Sequence, residues 1–258
     1  MLAIALQSGS AGNSIYVESS GIRLLFDAGI SGKQAEARLA MHGRDIRSVD
    51  ALIISHDHSD HISRAGVMSR KYGIPVYLTR RTYEAACDAQ RLGPISDMKH
   101  FSPGDVLEFR GIRVETIPTA HDGVEGSCFV AEGSGRRLGI LTDLGHAFDG
   151  LGKTIASLDG VFLESNYDPR MLDTGPYPEF IKTRIRGERG HLSNQESAEL
   201  LRDHGQRLQW ACLSHLSENN NHPSIAMKCH RETLDGRFPL YTASRRECSG
   251  VFTLQTRN

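Results

Sequence analysis

The sequence predicts a four-layer αββα sandwich of the α/β (α+β) class, in which two mixed sheets pack together and each carries helices on its outer face. Short apolar strands separated by Gly/Ser/Asn turns open the chain, and helices alternate with strands through its second half. Side chains that can bind metals also follow several predicted strands, and strand ends are where a sheet scaffold presents site residues.

The first half is predicted to form strands at 2–6, 14–18 and 22–26, a helix at 31–41, a strand at 51–54, a helix at 62–72, a strand at 76–78 and a helix at 81–91. Ser31 is the expected N-cap of the first helix, because a serine hydroxyl can accept from the free N–H groups of a helix start. Gly73 is expected to end the second helix.

The second half is predicted to form consecutive strands within 98–141, then a helix at 147–157, a strand at 160–163, helices at 177–186 and 193–204, a strand at 208–213, a helix at 223–234 and a strand at 240–242. No linker, low-complexity segment or fixed-period repeat interrupts this pattern. We therefore expect residues 1–258 to form a single domain.

The composition excludes some classes of protein. With 258 residues, 39% of them hydrophobic and 24% charged, the chain can build a full core. The net charge of -1 gives no global basic field, although a local patch can still attract a polyanion. No apolar run approaches the roughly 20 residues of a membrane span, and the start of the chain is interpreted as a strand rather than a signal peptide. Five scattered cysteines indicate reduced thiols in a cytoplasmic protein.

The most informative segment is 55–61, Ser-His-Asp-His-Ser-Asp-His, which follows the apolar run 51–54 directly. Imidazole and carboxylate donors without thiolates suit zinc, manganese or iron, and they argue against a closed structural zinc site. His56 and His58 lie two positions apart on an extended turn and can face one ion. Asp60 and His61 lie where the chain begins to coil and can face a second ion.

Three more candidate ligands each follow a predicted strand: His121, Asp143 and His215. Any one of them alone is more readily explained as an ordinary loop residue. Together with segment 55–61 they form an ordered set of seven donors, which is enough for two metals that share one carboxylate.

These motifs resemble those of the metallo-β-lactamase superfamily over nearly the whole chain. The resemblance implies that one metal is held by His56, His58 and His121, that a second is held by Asp60, His61 and His215, and that Asp143 bridges the two. Asp27, in the string Leu-Phe-Asp-Ala-Gly, matches an aspartate that orients a ligand from behind it. Aspartate rather than cysteine at 143, and histidine rather than glutamate at 58, point to a dinuclear hydrolase and away from β-lactam hydrolysis or dioxygen chemistry.

Segment 182–194 concentrates four basic residues before a predicted helix start at Ser193. Helix N-termini bind phosphate through their free N–H groups. The candidate substrate-binding residues are Arg184, Arg186, Ser193, Asn194 and, after the last motif, Asn220. The alternatives are a solvated helix end, where cations favour the C-terminus, and an Asn run that merely turns the chain.

Glu164 follows the strand 160–163 and resembles the acidic residue that tRNA 3′-processing and β-CASP nucleases pair with a histidine. The resemblance implies that Glu164 and His191 form a proton-delivering pair with His191 as the general acid. Asp60 is counted with them as catalytic. The alternative for Glu164 is a strand-end carboxylate bonded to a nearby helix N-terminus.

Longer strings, among them Leu-Glu-Ser-Asn-Tyr-Asp and Gly-His-Leu-Ser-Asn, resemble the YycJ/WalJ-like branch. The resemblance implies a bacterial cytoplasmic 5′-to-3′ DNA exonuclease with two divalent ions (zinc or manganese, possibly iron) and a part in DNA repair, with DNA favoured over RNA as substrate. A metal-bridging hydroxide is expected to attack phosphorus. The alternatives are a small-molecule phosphodiesterase or ribonuclease, a thioester or lactone hydrolase, and a scaffold subunit that has lost catalysis. No membrane partner is expected.

Overall fold

The fold is described by a computed structural model over residues 1–255. Its strands are β1 (Leu2–Gln7), β2 (Ser14–Ser19), β3 (Ile22–Phe26), β4 (Ala51–Ile53), β5 (Val76–Leu78), β6 (Met98–His100), β7 (Val106–Phe109), β8 (Ile112–Pro118), β9 (Ser127–Gly133), β10 (Arg136–Leu141), β11 (Gly160–Glu164), β12 (Trp210–Ser214), β13 (Leu240–Thr242) and β14 (Phe252–Thr253). Its α-helices are α1 (Gly32–Ala40), α2 (Ser59–Ile62), α3 (Ala65–Tyr72), α4 (Arg80–Ala89), α5 (Leu151–Ala156), α6 (Pro169–Thr174), α7 (Glu179–Arg186), α8 (Asn194–His204) and α9 (Pro223–Leu234).

The strands form two sheets with the same internal plan. One sheet has the order β14-β1-β2-β3-β4-β5-β6, and the other has the order β13-β12-β11-β10-β9-β8-β7. Each is antiparallel in one part and parallel in another: β3 to β6 run parallel, as do β10 to β13. Both sheets are therefore mixed, as predicted.

Three apolar layers hold the sandwich together. Aromatic side chains from both sheets meet in the central layer, where Phe26 lies against Phe129 and Phe162 against Trp210. A second layer joins the first sheet to α1, α3 and α4, and a third joins the other sheet to α5, α8 and α9. This arrangement confirms the αββα sandwich, because each sheet buries both faces, one against its partner and one under helices.

Local signals fixed several elements as expected. Ser31 caps α1 in a capping box with Gln34, Gly73 ends α3 in the left-handed region with φ 73°, and α9 spans the predicted 223–234. The predicted helix 62–72 is wrong in its first turn. It divides into α2 and α3 at Arg64, whose N–H donates to the carbonyl of Ala28 across the fold.

The other differences lie at element ends and in short elements. The predicted helix 147–157 is only α5, because the chain reaches it through Gly150 in the left-handed region, φ 95°. Helix α6, capped by Asp168, and strand β14 were not predicted. Strand β14 pairs with β1 from the other end of the chain, and a two-residue strand of this kind has no periodicity to detect.

Within residues 1–255, no helix combines the length and the apolar character that crossing a bilayer requires.

Candidate metal centre

The site lies along one edge of the sandwich, where strands from both sheets end. Asp27 follows β3, segment 55–61 follows β4, and His121 follows β8. Asp143, Glu164 and His215 come from β10, β11 and β12, which are adjacent and parallel. Because the carboxyl ends of parallel strands share an edge, residues far apart in sequence meet there.

Three of these residues have a left-handed backbone. Asp27 has φ 63°, Asp143 has φ 55° and His215 has φ 54°. This region is uncommon for residues other than glycine, and its cost is tolerated mainly where the surrounding structure fixes the residue for a purpose. At each position the strand has just ended, so the turn swings a buried side chain into the site.

The donor atoms fall into overlapping groups whose members lie within 4.8 Å of one another. One group is His56, His58 and His121; another is Asp60, His61 and His215; a third joins His56, His61 and Asp143. Asp143 lies between the first two, with its carboxylate oxygens 3.3 Å from His61 Nε2, 3.7 Å from His121 Nε2 and 3.5 Å from His215 Nδ1. The seven residues singled out in the sequence therefore come together in one cluster.

Hydrogen bonds behind the cluster set which ring nitrogen faces inward. His61 Nδ1 donates to Asp27 Oδ2 at 2.7 Å, and His121 Nδ1 donates to the carbonyl of Gly190 at 2.8 Å. In each ring this leaves the Nε2 lone pair available to an ion. Asp27 also accepts from the N–H and the hydroxyl of Ser55, so this aspartate supports the loop as well as the ring.

Burial and nearby carboxylates act in opposite directions on these rings. Burial lowers the pKa of His56 well below its usual value, and the neighbouring imidazoles of His61 and His58 lower it further. At His61 and His215 burial also lowers the pKa, but the carboxylates, above all Asp143, outweigh it. The pKa of His61 is raised well above its usual value and that of His215 to about 10. This part of the cluster therefore favours positive charge.

Unpaired buried atoms show that the cluster suits a cation. Within residues 1–255, His56 Nε2, Asp143 Oδ2 and His215 Nε2 are buried without a hydrogen-bond partner. Leaving a buried polar atom unpaired costs free energy, and all three residues belong to the groups described above. Imidazole and carboxylate donors of this kind suit divalent metal ions.

Glu164 and His191 lie beside these donors. His191 Nδ1 is 2.6 Å from Glu164 Oε1 and 3.9 Å from Asp143 Oδ1. The other oxygen of Glu164 accepts from the N–H groups of Leu144 and Leu192. Burial alone would raise the pKa of Glu164, but the charge and hydrogen bond of His191 outweigh it and the pKa is lowered. The buried Glu164 carboxylate thus fixes the orientation of the His191 ring through its Nδ1 nitrogen.

The predicted basic patch is largely neutralised within the protein. Arg184 pairs with Asp122 at 2.5 Å, and Arg186 pairs with Asp173 and, at 3.5 Å, with Glu179. An arginine that already faces a carboxylate offers less attraction to a phosphate. To bind a substrate phosphate, as predicted, each of these arginines would first have to release its carboxylate partner.

The other three predicted substrate contacts are buried and bonded internally. The hydroxyl of Ser193 caps α8, and the Glu196 carboxylate reaches back to the Ser193 N–H, so an acidic group occupies the helix start proposed for phosphate. Asn194 bonds to Ser165 and Asn221, and Asn220 bonds to Ser217. These internal bonds give each side chain a structural role, and direct contact with a substrate stays a prediction. The Ser-x-x-Glu string already contained the capping-box signal.

Several residues that support the cluster have only weak signals in the sequence. Asn13 lies 3.1 Å from Asp60 Oδ2 and 3.0 Å from His61 Nε2 through its amide nitrogen, and Asn166 holds the carbonyl of His215 at 2.8 Å. Asp122 lies 3.4 Å from His58 Nε2. The only sequence signal for Asn13 is the loop of small residues around it. Asp122 directly follows the candidate ligand His121, and this position is a sequence signal for a place in the site.

The sequence is similar to a known protein family and to proteins of known name over most of its length. The family model for the beta-lactamase superfamily domain matches residues 22–215. An exodeoxyribonuclease WalJ of Streptococcus pneumoniae is 38% identical over 224 residues, covering 86% of this chain and 83% of the relative. An exodeoxyribonuclease YycJ of Bacillus anthracis is 36% identical over 236 residues, covering 89% and 88%.

The fold also matches solved structures. The metallo-beta-lactamase fold protein YhfI from Bacillus subtilis superposes with a TM-score of 0.73, covering 97% of this chain and 98% of the other at 16% identity. At that identity the likeness concerns the fold.

Proposed function

This chain belongs to the β-lactamase superfamily, and we propose that within it the protein is a metal-dependent hydrolase that degrades DNA from the 5′ end. The observation that carries the proposal is the seven-donor cluster with the Glu164–His191 pair against it. Two relatives, 38% and 36% identical to this chain over aligned regions that cover most of both lengths, are named exodeoxyribonucleases. A cytoplasmic location and a part in DNA repair suit such an enzyme and stay predictions.

In this proposal the donors divide between two ions. His56, His58 and His121 would hold one ion, Asp60, His61 and His215 the other, and Asp143 would lie between them. Zinc or manganese suits these donors best, and iron is compatible. Divalent ions held there would supply Lewis acidity to a phosphate oxygen and activate water near neutral pH.

The protein's own groups would deliver the proton. His191 Nδ1 faces the Glu164 carboxylate, so Nε2 is the nitrogen that can hold a proton for the leaving oxygen. Glu164 stabilises the imidazolium before transfer and orients the neutral ring after it. The attacking water gives up one proton to the solvent, and its oxygen bonds to phosphorus as the bond to the leaving oxygen breaks. The His191 proton moves to that leaving oxygen, and the ring then regains a proton from the solvent.

The test compares substrates with different needs for a general acid. His191→Asn and Glu164→Gln should lower hydrolysis of 5′-phosphorylated DNA by about 10²–10⁴-fold. Hydrolysis of bis-nitrophenyl phosphate should change little, because nitrophenolate leaves without a proton. His42→Asn, a ring outside the cluster, is the matched control.

Metal dependence is tested in the same assay. Asp143→Ala and His61→Ala should abolish hydrolysis of both substrates in protein reloaded with zinc or manganese. Parallel digests of duplex DNA, single-stranded DNA and RNA decide the substrate. Wild-type protein that hydrolyses the small ester but leaves every polynucleotide intact would contradict the proposal.

A further inference from the structure

A polar groove of about 410 Å³ opens beside the metal cluster on the side of the first sheet. Asp60 belongs to both, since it lines the groove and is one of the clustered donors. The hydroxyl residues Ser10, Ser59 and Ser63 also line the groove, together with Arg64 and Arg91. A ligand in this groove would therefore lie next to the reacting centre.

Both arginines of the groove have free guanidinium groups. Among residues 1–255, neither Arg64 nor Arg91 has a side-chain hydrogen bond or ion pair, and both are exposed. They differ in this from Arg184 and Arg186, whose charges face carboxylates. On this side of the site, positive charge is available to a ligand without first breaking an internal pair.

The backbone that carries these arginines is anchored. The N–H of Arg64 donates to the carbonyl of Ala28 at the junction of α2 and α3. Arg91 follows α4 with φ 49°, a conformation that favours glycine, and the next residue is fixed because Arg70 donates to the Leu92 carbonyl at 2.9 Å. That carbonyl packs so closely on Gly66 that an added Cβ would lie 1.9 Å from it.

The carboxylate in the groove does not cancel this charge. Asp60 Oδ2 lies 3.3 Å from His61 Nε2 and 3.5 Å from His215 Nε2, and it accepts from the Asn13 amide. The Asp60 carboxylate therefore interacts with the imidazoles of His61 and His215. Arginine with serine hydroxyls is a combination that recognises phosphate oxygens.

We infer that the groove beside Asp60, through Arg64 and Arg91, binds a phosphate of the DNA strand adjacent to the bond that is cleaved. This inference rests on the proposed function. The bound group is either the terminal 5′-phosphate or an internal phosphodiester, since the two share the same oxyanion chemistry.

The experiment measures KM for 5′-phosphorylated and 5′-hydroxyl DNA with wild type, Arg64→Gln, Arg91→Gln and the double variant. Arg110→Gln is the matched control, because Arg110 is also exposed and unpaired within residues 1–255 but lies in the turn at the far end of β8 from His121. The double variant should raise the KM for DNA about tenfold or more. It should also reduce the slope of log affinity against log salt by roughly 0.7–0.9. Hydrolysis of bis-nitrophenyl phosphate should match that of the control.

Comparing 5′-phosphorylated with 5′-hydroxyl DNA shows which phosphate of the strand binds in the groove. Loss of a wild-type preference for the 5′-phosphorylated end assigns the groove to the terminal phosphate, and an equal rise in KM for both ends assigns it to an internal diester. KM values equal to those of Arg110→Gln overturn the inference, as does an equal loss on DNA and on the small ester. If wild-type protein degrades no DNA, the proposed function itself has failed.

Discussion

Replacing Asp27 with asparagine tests whether the hydrogen bonds of Asp27 orient the His61 ring in the donor cluster. One oxygen of Asp27 accepts from His61 Nδ1 and from the Ser55 hydroxyl, and the other accepts from the Ser55 N–H. An amide supplies only one acceptor. If its oxygen bonds to the Ser55 N–H, its NH₂ group faces His61 and favours the tautomer with hydrogen on Nε2, which is the nitrogen needed by an ion.

The expected magnitude follows from that geometry. A hydrogen bond to a charged group contributes about 1.5–3 kcal/mol, and loss of such support behind a metal-binding histidine typically lowers metal affinity 10–100-fold. The two figures agree, since tenfold corresponds to about 1.4 kcal/mol. Asp27→Asn should therefore weaken binding of zinc or manganese by one to two orders of magnitude.

The assay titrates metal-stripped protein with the ion in competition with a chromophoric chelator. Asp97→Asn, an exposed aspartate at the start of β6, is the control for loss of a negative charge. Circular dichroism checks that both variants are folded. Affinity within twofold of wild type in folded Asp27→Asn protein would refute the proposed role of this carboxylate.

Two further predictions concern the scaffold. His230 lies buried between α8 and α9, where Nδ1 donates to the Ala226 carbonyl and Nε2 accepts from Ser197, and burial lowers its pKa to about 4. Because the unfolded chain takes up this proton first, near pH 6.5, stability should fall by about 3 kcal/mol as the pH drops from 6.5 to 4. His230→Gln should remove that part of the pH dependence in urea unfolding, and parallel curves for the two proteins would contradict the assignment. Phe162→Ala should lower the free energy of unfolding by about 3–5 kcal/mol, because Phe162 packs against Trp210 and Phe252 in the central layer; a loss below 1 kcal/mol in denaturant titration would show that this layer can collapse around the gap.

Much of the fold could be predicted because its signals are local. Helix α9 begins with proline in its first turn and was predicted at its observed ends. The donors of segment 55–61 are neighbours in the chain, so their chemistry and spacing are visible without a fold. His121, Asp143 and His215 could be added because each follows an apolar strand, and parallel strands align their ends.

Contacts between distant segments could not be predicted in this way. The sequence shows a basic run at 182–189, but the carboxylate that pairs with Arg184 lies 62 residues earlier in the chain. Strand β14 is defined by pairing with β1 at the opposite end of the chain. Arg64 and Arg91 carry no motif, and they share a groove only because α3 packs against the segment after α4.

The sequence by itself determined the class of fold and the kind of chemistry, since periodicity and donor type are properties of short segments. The tertiary structure decided which arginines are paired with carboxylates inside the protein and which remain available to a substrate. The reason is that the attraction between two charges depends on their distance in space and not on their separation in the sequence. The donor motif predicts a metal site from the sequence alone, whereas the packing around that site determines which surface a substrate can reach.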